Sequence, residues 1–285
     1  MHPSTIHKES LLRYAAFTTD AAGGNPAGVW IGDHLPTPEE MQAIAKWVGY
    51  SETAFIAPAT GSHRKMRYYS PEMEVSFCGH ATIASGVALA RKEGPQTFVF
   101  STTVGDVSVA TEMQNEHYLA SLTSVEPKTR AASKETVDRY LKILGWSRAE
   151  LDPTIAPVFA YAGAWHLVLA ARDMSRLNRL DYEFDRLRDE MQREELTTLQ
   201  LIFRESDALV HSRNPFPVGG VVEDPATGAA AAALGGYLRE AGLLTVPCEV
   251  SVHQGDAMGR PSRLKLTIPA SGGIIVSGTA VPITA

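Results

Sequence analysis

The amino-acid sequence predicts an α+β protein made of two similar halves. Each half contains a helix of small and apolar residues, at 80–91 and at 225–241, followed by strands around a Gly-Asp turn. The letters "HAT" at 80–82 are also echoed by "PAT" at 225–227. This repeated order predicts an internal duplication, with a ligand site in the cleft between the two halves.

Length and composition narrow the class of protein. The 285 residues suit one large domain or two of ordinary size, with ample apolar content for packed cores. A net charge of −6 with scattered basic residues argues against a nucleic-acid partner. The start, "MHPSTIHKESLLRYAAF", lacks the pattern of a signal peptide, and no stretch has the length of a membrane span. We therefore expect a cytoplasmic protein without a membrane partner.

The N-terminal half begins with two predicted strands joined by a glycine-rich loop at 23–26. The next segment, "TPEEMQAIAKWVGY", carries every signal of a helix. Thr37 is a suitable N-cap, Pro38 occupies the first helical position, and Glu40 completes a capping box. Gly49 is predicted to end this helix.

A polar segment with a proline, 123–135, is the best candidate for a linker. It divides the chain into predicted domains at 1–125 and 126–285, with the last strand allowed to pack on the first half. Beyond the linker, a helix is predicted to end at Gly145. The segments "AWHLVLA" and "DALVHSR" are predicted strands, and a charged helical region near 183–195 lies between them.

Both small-residue helices are predicted to begin with a turn that receives an anion. A helix N-terminus offers unpaired N–H groups and positive dipole charge, so it binds carboxylate or phosphate. Gly79 and Gly228 would let a ligand approach the backbone closely. Asp224 is the predicted N-cap of the second helix, with Pro225 in its first turn. The alternative is that small residues only allow the helices to pack closely on the sheets.

Three further side chains of the first half are candidates for chemistry. Glu52 enters an apolar strand in "GYSETAFIA" and is a candidate general base, or an ordinary glutamate at a strand end. His80 could shuttle a proton or bind a carboxylate, or it could be a structural histidine. Cys78, beside a helix start, suits a nucleophile or a thiolate base, and packing explains it equally well.

The sequence contains no motif for a common cofactor. It has no P-loop, no G-x-G-x-x-G after a strand and no G-x-S-x-G elbow. The nine histidines show no H-E-x-x-H spacing, and the two cysteines, Cys78 and Cys248, indicate neither a disulfide framework nor a zinc site. We therefore expect chemistry without a metal, nucleotide or nicotinamide cofactor.

Five motifs occur together in a characteristic order. They are "GNPAGV" at 24–29, "SETAFI" at 51–56, "FCGHATIA" at 77–84, "EDPATG" at 223–228 and "GRPS" at 259–262. With these motifs the chain resembles the phenazine-biosynthesis (PhzF-like) isomerase family, which has the fold of diaminopimelate epimerase. The resemblance extends from about residue 12 to the last strands.

The resemblance implies an architecture and an activity. Each half would be a barrel-like, mostly antiparallel sheet around a central helix, and family members are commonly homodimers. The best-understood activity is the cofactor-independent isomerisation of a hydroxylated cyclohexadiene carboxylate, in which a glutamate moves a proton between carbons. By position, that glutamate would be Glu52, with His80 and Asp224 as the other catalytic residues.

The resemblance also implies a substrate-binding set, with some departures. Gly79 and Gly228 match glycines whose backbone groups contact the substrate, and Asn25 and Cys78 complete the predicted set. Cys78 stands where the phenazine enzyme has alanine, and Ala229 stands where it has serine. The true epimerase uses two opposed cysteines, and the second position here corresponds to an aspartate. These departures argue against a two-thiol epimerase.

The leading hypothesis is therefore a cofactor-independent isomerase that moves a proton on a small carboxylate-bearing metabolite. Glu52 would act as the general acid and base. One alternative is a racemase or epimerase that depends on Cys78. The other is a metabolite-binding protein that keeps the cleft without turnover.

Overall fold

The computed structural model describes residues 10–284, which form seventeen β-strands and six α-helices. The strands are β1 (Leu11–Ala16), β2 (Asn25–Ile31), β3 (Glu52–Ile56), β4 (His63–Tyr69), β5 (Glu74–Val75), β6 (Thr97–Thr102), β7 (Gly105–Gln114), β8 (His117–Thr123), β9 (Lys128–Ala131), β10 (Val158–Tyr161), β11 (Trp165–Ala170), β12 (Leu196–Arg204), β13 (Leu209–Phe216), β14 (Val221–Asp224), β15 (Cys248–Gln254), β16 (Ser262–Ile268) and β17 (Ile275–Pro282). The helices are α1 (Pro38–Val48), α2 (Gly79–Glu93), α3 (Lys134–Leu144), α4 (Met174–Asn178), α5 (Phe184–Arg193) and α6 (Gly228–Glu240).

These elements form two compact units. Residues 10–122 together with 277–284 make the first unit, and residues 123–276 make the second. Both contain helices and mostly antiparallel strands, which confirms the predicted α+β class. Residues 1–9, part of the start on which the signal-peptide expectation rests, lie outside the described residues. Within residues 10–284, none of the helices combines the length and apolar character needed to cross a membrane.

The first unit is a closed barrel of eight strands around α2. The ring runs β1–β2–β3–β4–β6–β7–β8–β17 and returns to β1. Inside it, α2 is buried without interruption from His80 to Ala90. A Cβ added at Gly86 would meet Val109 Cγ1 of β7 at 2.7 Å. At this position the small residue is needed because a strand approaches the helix too closely for a larger side chain.

Helix α1 lies on the outside of this barrel and begins as predicted. The Thr37 hydroxyl accepts from the Glu40 amide, the Glu40 carboxylate accepts from the Thr37 amide, and Gly49 ends the helix at φ 72°. Its apolar stripe packs on the outer faces of β2 and β3. The resulting buried cluster comprises Trp30, Met41, Ile44, Ala45, Val48, Phe55 and Tyr69.

The second unit arranges a sheet around α6 in a similar way. Strands β9, β10, β11, β12, β13, β15 and β16 pair in that order, and β14 adds to β13. Residues Ala230–Leu238 of α6 are buried. Helices α3 and α5 pack on the other face of β11 and β12, so the predicted charged helix near 183–195 is confirmed as α5.

The predicted start of the second small-residue helix is wrong by three residues. Helix α6 begins at Gly228 with Thr227 as its N-cap, and Asp224 is instead the last residue of β14. Asp224 pairs with Asn214 of β13, so ladder pairing holds its backbone extended. A residue fixed in a strand pair cannot cap a helix that starts four residues later.

Two adjacent glycines of α6 provide a matched test of helix packing. A Cβ on Gly236 would lie 2.2 Å from Pro127 Cβ, whereas the nearest atom to a Cβ on Gly235 is Ile274 Cγ2 at 3.2 Å. Both Gly→Ala changes gain about 1 kcal/mol of helix propensity. We expect Gly236→Ala to lower the free energy of unfolding by about 1–3 kcal/mol through overpacking, and Gly235→Ala to leave it nearly unchanged. Chemical denaturation of both variants measures the difference, and equal effects would contradict the packing argument.

The second unit contains a buried network of polar side chains. His166 Nδ1 lies 2.8 Å from the Thr198 hydroxyl, and Asn214 donates to Thr198 at 3.0 Å and to Gln200 at 2.6 Å. Gln200 donates to Ser212 at 3.0 Å. His166 Nε2 has no hydrogen-bond partner within residues 10–284. Burial lowers the pKa of His166 to about 3, because the imidazolium would lose its hydration.

This shift makes the stability of the second unit depend on pH. Since the folded pKa is below the unfolded value of about 6.5, the unfolded chain binds the proton first as the pH falls. The contribution of His166 is therefore complete above about pH 6.5 and is lost toward pH 3. We expect a loss of about 2 kcal/mol between pH 7.5 and 5 from this residue. In His166→Gln, unfolding free energies measured over that range should fall less steeply, and an unchanged slope would refute this assignment.

Candidate active site

Glu52 is positioned by the junction between α1 and β3. Helix α1 ends at Gly49, and β3 begins at Glu52 in parallel pairing with β2, where Glu52 lies opposite Ala27. Ala27 is fully buried, while the Glu52 side chain is 16% exposed. The carboxylate is thus at a partly open position beside the interior of the barrel.

Cys78 and His80 are positioned by the start of α2. Cys78 is the N-cap residue, with an extended backbone at φ −143° and ψ 114°, and its side chain makes no capping hydrogen bond. His80 is the second residue of the helix. Both are buried, with 7% and 6% of their surfaces exposed. A residue two positions from the N-cap lies within the first turn, so both side chains stay at the same end of α2.

Glu52, Cys78 and His80 form a compact cluster. The Cys78 thiol lies 3.5 Å from Glu52 Oε2, and His80 Nε2 lies 3.4 Å from the same oxygen. Cys78 Sγ is 3.3 Å from His80 Nδ1 and 3.8 Å from His80 Nε2. The Ser51 hydroxyl is 3.4 Å from His80 Nε2. An acid, a thiol and an imidazole therefore meet at the start of one buried helix.

Burial favours the neutral form of the His80 ring. Burial lowers the pKa of His80 because the charged ring would lose its hydration, and the nearby Glu52 carboxylate opposes that effect only partly. In that neutral form the ring contacts Glu52 Oε2 at 3.4 Å without forming an ion pair. A neutral imidazole has one N–H that can donate and one nitrogen that can accept.

The backbone around the cluster is open to a ligand at one point. An added Cβ at Gly79, the first residue of α2, would meet no atom within 4 Å. The first amides of α2 have no acceptor within the helix, so they present donors and positive dipole charge there.

Asn25 is on the strand next to Glu52. It is the first residue of β2 and is buried, two positions before Ala27 and on the same face of the strand. The loop before it depends on Gly24, which has φ +65° and whose Cβ would lie 2.4 Å from the Ala16 carbonyl oxygen.

The remaining predicted site residues belong to the second unit. The Asp224 carboxylate accepts from the Thr227 hydroxyl at 2.6 Å. The Gln254 side-chain amide donates to the Asp224 carbonyl at 2.8 Å and to Thr227 Oγ1 at 3.0 Å, and accepts from the Thr227 amide at 3.2 Å. Asp224 is buried, and Gly228 is the first residue of α6. Their participation with Glu52 in one site stays a prediction.

Three residues that contact the predicted site residues were not themselves predicted from the sequence. Ser51 lies inside the "SETAFI" motif, so its place before Glu52 was a usable signal. Thr227 lies inside "EDPATG". Its position as the N-cap residue was not predicted, because the N-cap was assigned to Asp224. Gln254 gave no local signal, because it reaches Thr227 from 27 residues away along the chain.

Two open surface cavities lie elsewhere. One, of about 770 Å³, is beside Arg139 and Glu190 in the second unit, and the other, of about 760 Å³, is beside His63 and Thr102 in the first. Charged side chains in the first cavity already pair with each other, as Arg139 does with Glu190 at 2.6 Å. These linings offer no acid–base cluster comparable to that of Glu52, Cys78 and His80.

The fold and the cluster define an epimerase-like α+β protein with acid–base groups at a helix start. The family model described as "Phenazine biosynthesis-like protein" matches residues 14–285, and the chain belongs to that family. This confirms the resemblance based on the five motifs.

Individual proteins agree with this membership. A Bacillus subtilis protein named "Uncharacterized isomerase YfhB" is 27% identical, over 97% of this chain and 97% of its own. The crystal structure of a Bacillus anthracis phenazine biosynthesis protein of the PhzF family superposes with a TM-score of 0.86 at 23% identity, covering 96% of each chain. A hydroxyproline epimerase from Agrobacterium vitis has a TM-score of 0.66 at 13% identity, covering 96% of this chain and 90% of its own, which shows a shared fold.

Proposed function

We propose that the protein is an isomerase that moves a proton on a small carboxylate-bearing metabolite, with Glu52 as the general acid and base. The observation that carries this proposal is the cluster in which Glu52 Oε2 lies within 3.5 Å of both the Cys78 thiol and a His80 ring nitrogen. Membership in the phenazine biosynthesis-like family and relatives named isomerases support the reaction class.

The start of α2 supports a carboxylate-bearing substrate. The first amides of the helix and its dipole favour an anion, and Gly79 leaves space for one to approach. An anion bound there would lie beside the cluster, because Gly79 stands between Cys78 and His80. Binding the substrate carboxylate at the helix start would bring a neighbouring carbon to the Glu52 side chain.

The proposed reaction is a proton transfer in two steps. The Glu52 carboxylate takes a proton from an acidic carbon; that C–H bond breaks, and its electron pair spreads into the unsaturated system and carboxylate of the substrate. The resulting anion is stabilised by the helix amides and by the N–H of the neutral His80 ring. Glu52 then returns the proton to a different carbon, so no atom is gained or lost. Each preorganised donor can contribute roughly 3 kcal/mol to such stabilisation.

A second candidate is a racemase or epimerase in which Cys78 is the base. The distance of 3.3 Å between Cys78 Sγ and His80 Nδ1 favours it, because a neutral imidazole can accept the thiol proton and leave a reactive thiolate. In that reaction Cys78 would exchange a proton at one carbon, and the configuration of that carbon would invert.

One experiment separates these candidates from a protein that only binds a metabolite. The protein is incubated in D₂O with a panel of small unsaturated and hydroxylated carboxylates and amino acids, and each compound is then analysed by mass spectrometry and NMR. Deuterium at a new carbon supports the isomerase, and deuterium with inversion at the same carbon supports the racemase. A panel member that binds, as detected by a thermal shift, but takes up no deuterium would refute turnover of that compound.

A further inference from the structure

We propose that Glu52, Cys78 and His80 form a binding site for a thiophilic divalent cation of the zinc class, and that the bound cation blocks proton transfer by Glu52. Each of the three side chains offers one ligand atom, and the three atoms lie within 4.8 Å of one another. The cation is proposed as a reversible inhibitor and has no step in the reaction described above.

The distances within the cluster fit a tetrahedral ion. Glu52 Oε2 is 3.5 Å from Cys78 Sγ and 3.4 Å from His80 Nε2, and Sγ is 3.8 Å from Nε2. Zinc bonds of about 2.0–2.3 Å at tetrahedral angles place the ligand atoms about 3.3–3.6 Å apart. Coordination through Nε2 also requires the His80 ring to turn, because Sγ, 3.3 Å from Nδ1 and 3.8 Å from Nε2, lies beside the ring and not along the Nε2 lone pair.

The charges of the cluster also fit a divalent cation. Cys78 as a thiolate and Glu52 as a carboxylate bring two negative charges, and His80 binds as a neutral ring. A divalent cation would make this assembly neutral. Neutrality matters because Cys78 and His80 are buried, and a buried charge that no opposite charge balances is costly. The thiolate and imidazole select zinc-like ions over magnesium or calcium, which prefer oxygen ligands alone.

The arrangement corresponds to an open site with three protein ligands. Glu52 is partly exposed, so a fourth position can be taken by water. Coordination uses a lone pair of the Glu52 carboxylate, and a carboxylate held this way is a poor proton acceptor.

Cobalt(II) provides a direct test on the full chain. The reduced, chelator-treated protein is titrated with Co²⁺ without air. We expect stoichiometric binding, a near-ultraviolet thiolate-to-cobalt charge-transfer band, visible bands of tetrahedral intensity, and loss of all bands when Zn²⁺ is added. Cys78→Ser should abolish the charge-transfer band, and Glu52→Gln should weaken Co²⁺ binding at least about tenfold. Cys248→Ser, at the other cysteine of the chain, should leave the spectrum unchanged.

The outcomes that overturn the proposal are equally specific. A wild-type protein without the charge-transfer band refutes it, as does a band that persists in folded Cys78→Ser or disappears in Cys248→Ser. Circular dichroism verifies that each variant is folded. These spectra need no substrate, so their failure leaves the isomerase proposal untouched. The proposal that the bound cation blocks proton transfer rests on the proposed function. Zn²⁺ should stop deuterium uptake, and a chelator should restore it. Uptake that continues at saturating Zn²⁺ refutes the block but not the cation site.

Discussion

Glu52→Gln is expected to reduce the rate of deuterium incorporation at least about a hundredfold, because the amide has the shape of the carboxylate but cannot accept a proton. The side chain lies at the first position of β3, partly exposed beside the barrel interior, so the substitution removes a charge without creating a cavity. Substrate affinity, measured by the thermal shift that the substrate produces, should change little. The rate is measured with the first carboxylate of the panel that takes up deuterium.

A matched control tests whether the loss is specific to this position. Glu112→Gln makes the same chemical change on β7 of the same barrel, where the side chain is exposed. It should retain the parent rate. A Glu52→Gln rate within about tenfold of the parent would remove Glu52 from the role of general base, since a lost general base costs at least about a hundredfold.

His80→Ala and Cys78→Ser are expected to differ strongly, which decides between the two enzyme candidates. His80→Ala removes the ring whose N–H would stabilise the substrate anion, so we expect a loss of about a hundredfold or more. Cys78→Ser keeps a small polar side chain at the N-cap and leaves Glu52 to transfer the proton. Its rate should stay within about tenfold of the parent. Both rates are measured by the same deuterium assay.

The reverse result would favour the thiol-dependent racemase. If Cys78→Ser is folded but inactive while His80→Ala still turns over, Cys78 is the base and the isomerase assignment of Glu52 falls. Cys248→Ser serves as the control for loss of a thiol, because Cys248, on β15, is not a member of the cluster of Glu52, Cys78 and His80.

Much of the fold could be predicted because its signals are local. The start of α1 depends on a capping box within four residues, and its end depends on a glycine with positive φ. Both ends of this helix could therefore be predicted from the sequence. The small-residue runs predicted both central helices for a related reason. A helix enclosed by strands is buried on most sides and needs small residues where a strand approaches closely, and the run of small and apolar letters shows that pattern.

The rest depended on pairings that no local pattern reveals. Asp224 has the composition of a helix cap, yet its pairing with Asn214 of β13 keeps it in a strand. In the same way, Thr198 and Gln200 are buried in the polar network of the second unit, although polar residues on a strand usually indicate a solvent face.

The candidate site shows the same limit. Glu52 and Cys78 are 26 residues apart in the chain, and only the pairing of β3 within the barrel brings the carboxylate to the start of α2. The family motifs identified these residues one by one. They did not indicate that the thiol, the carboxylate and the imidazole would contact one another.

The closure of the first barrel by β17 has a consequence for how the chain is made. Residues 277–284 fill the gap between β1 and β8, so the first unit is discontinuous in the chain. On the ribosome, its first seven ring strands emerge long before the eighth, and until then the edges of β1 and β8 are exposed to pairing with other chains. The second unit is contiguous from 123 to 276 and has all its strands earlier. The half synthesised first is thus the half completed last, and in a nascent chain it is the half that most needs protection from aggregation.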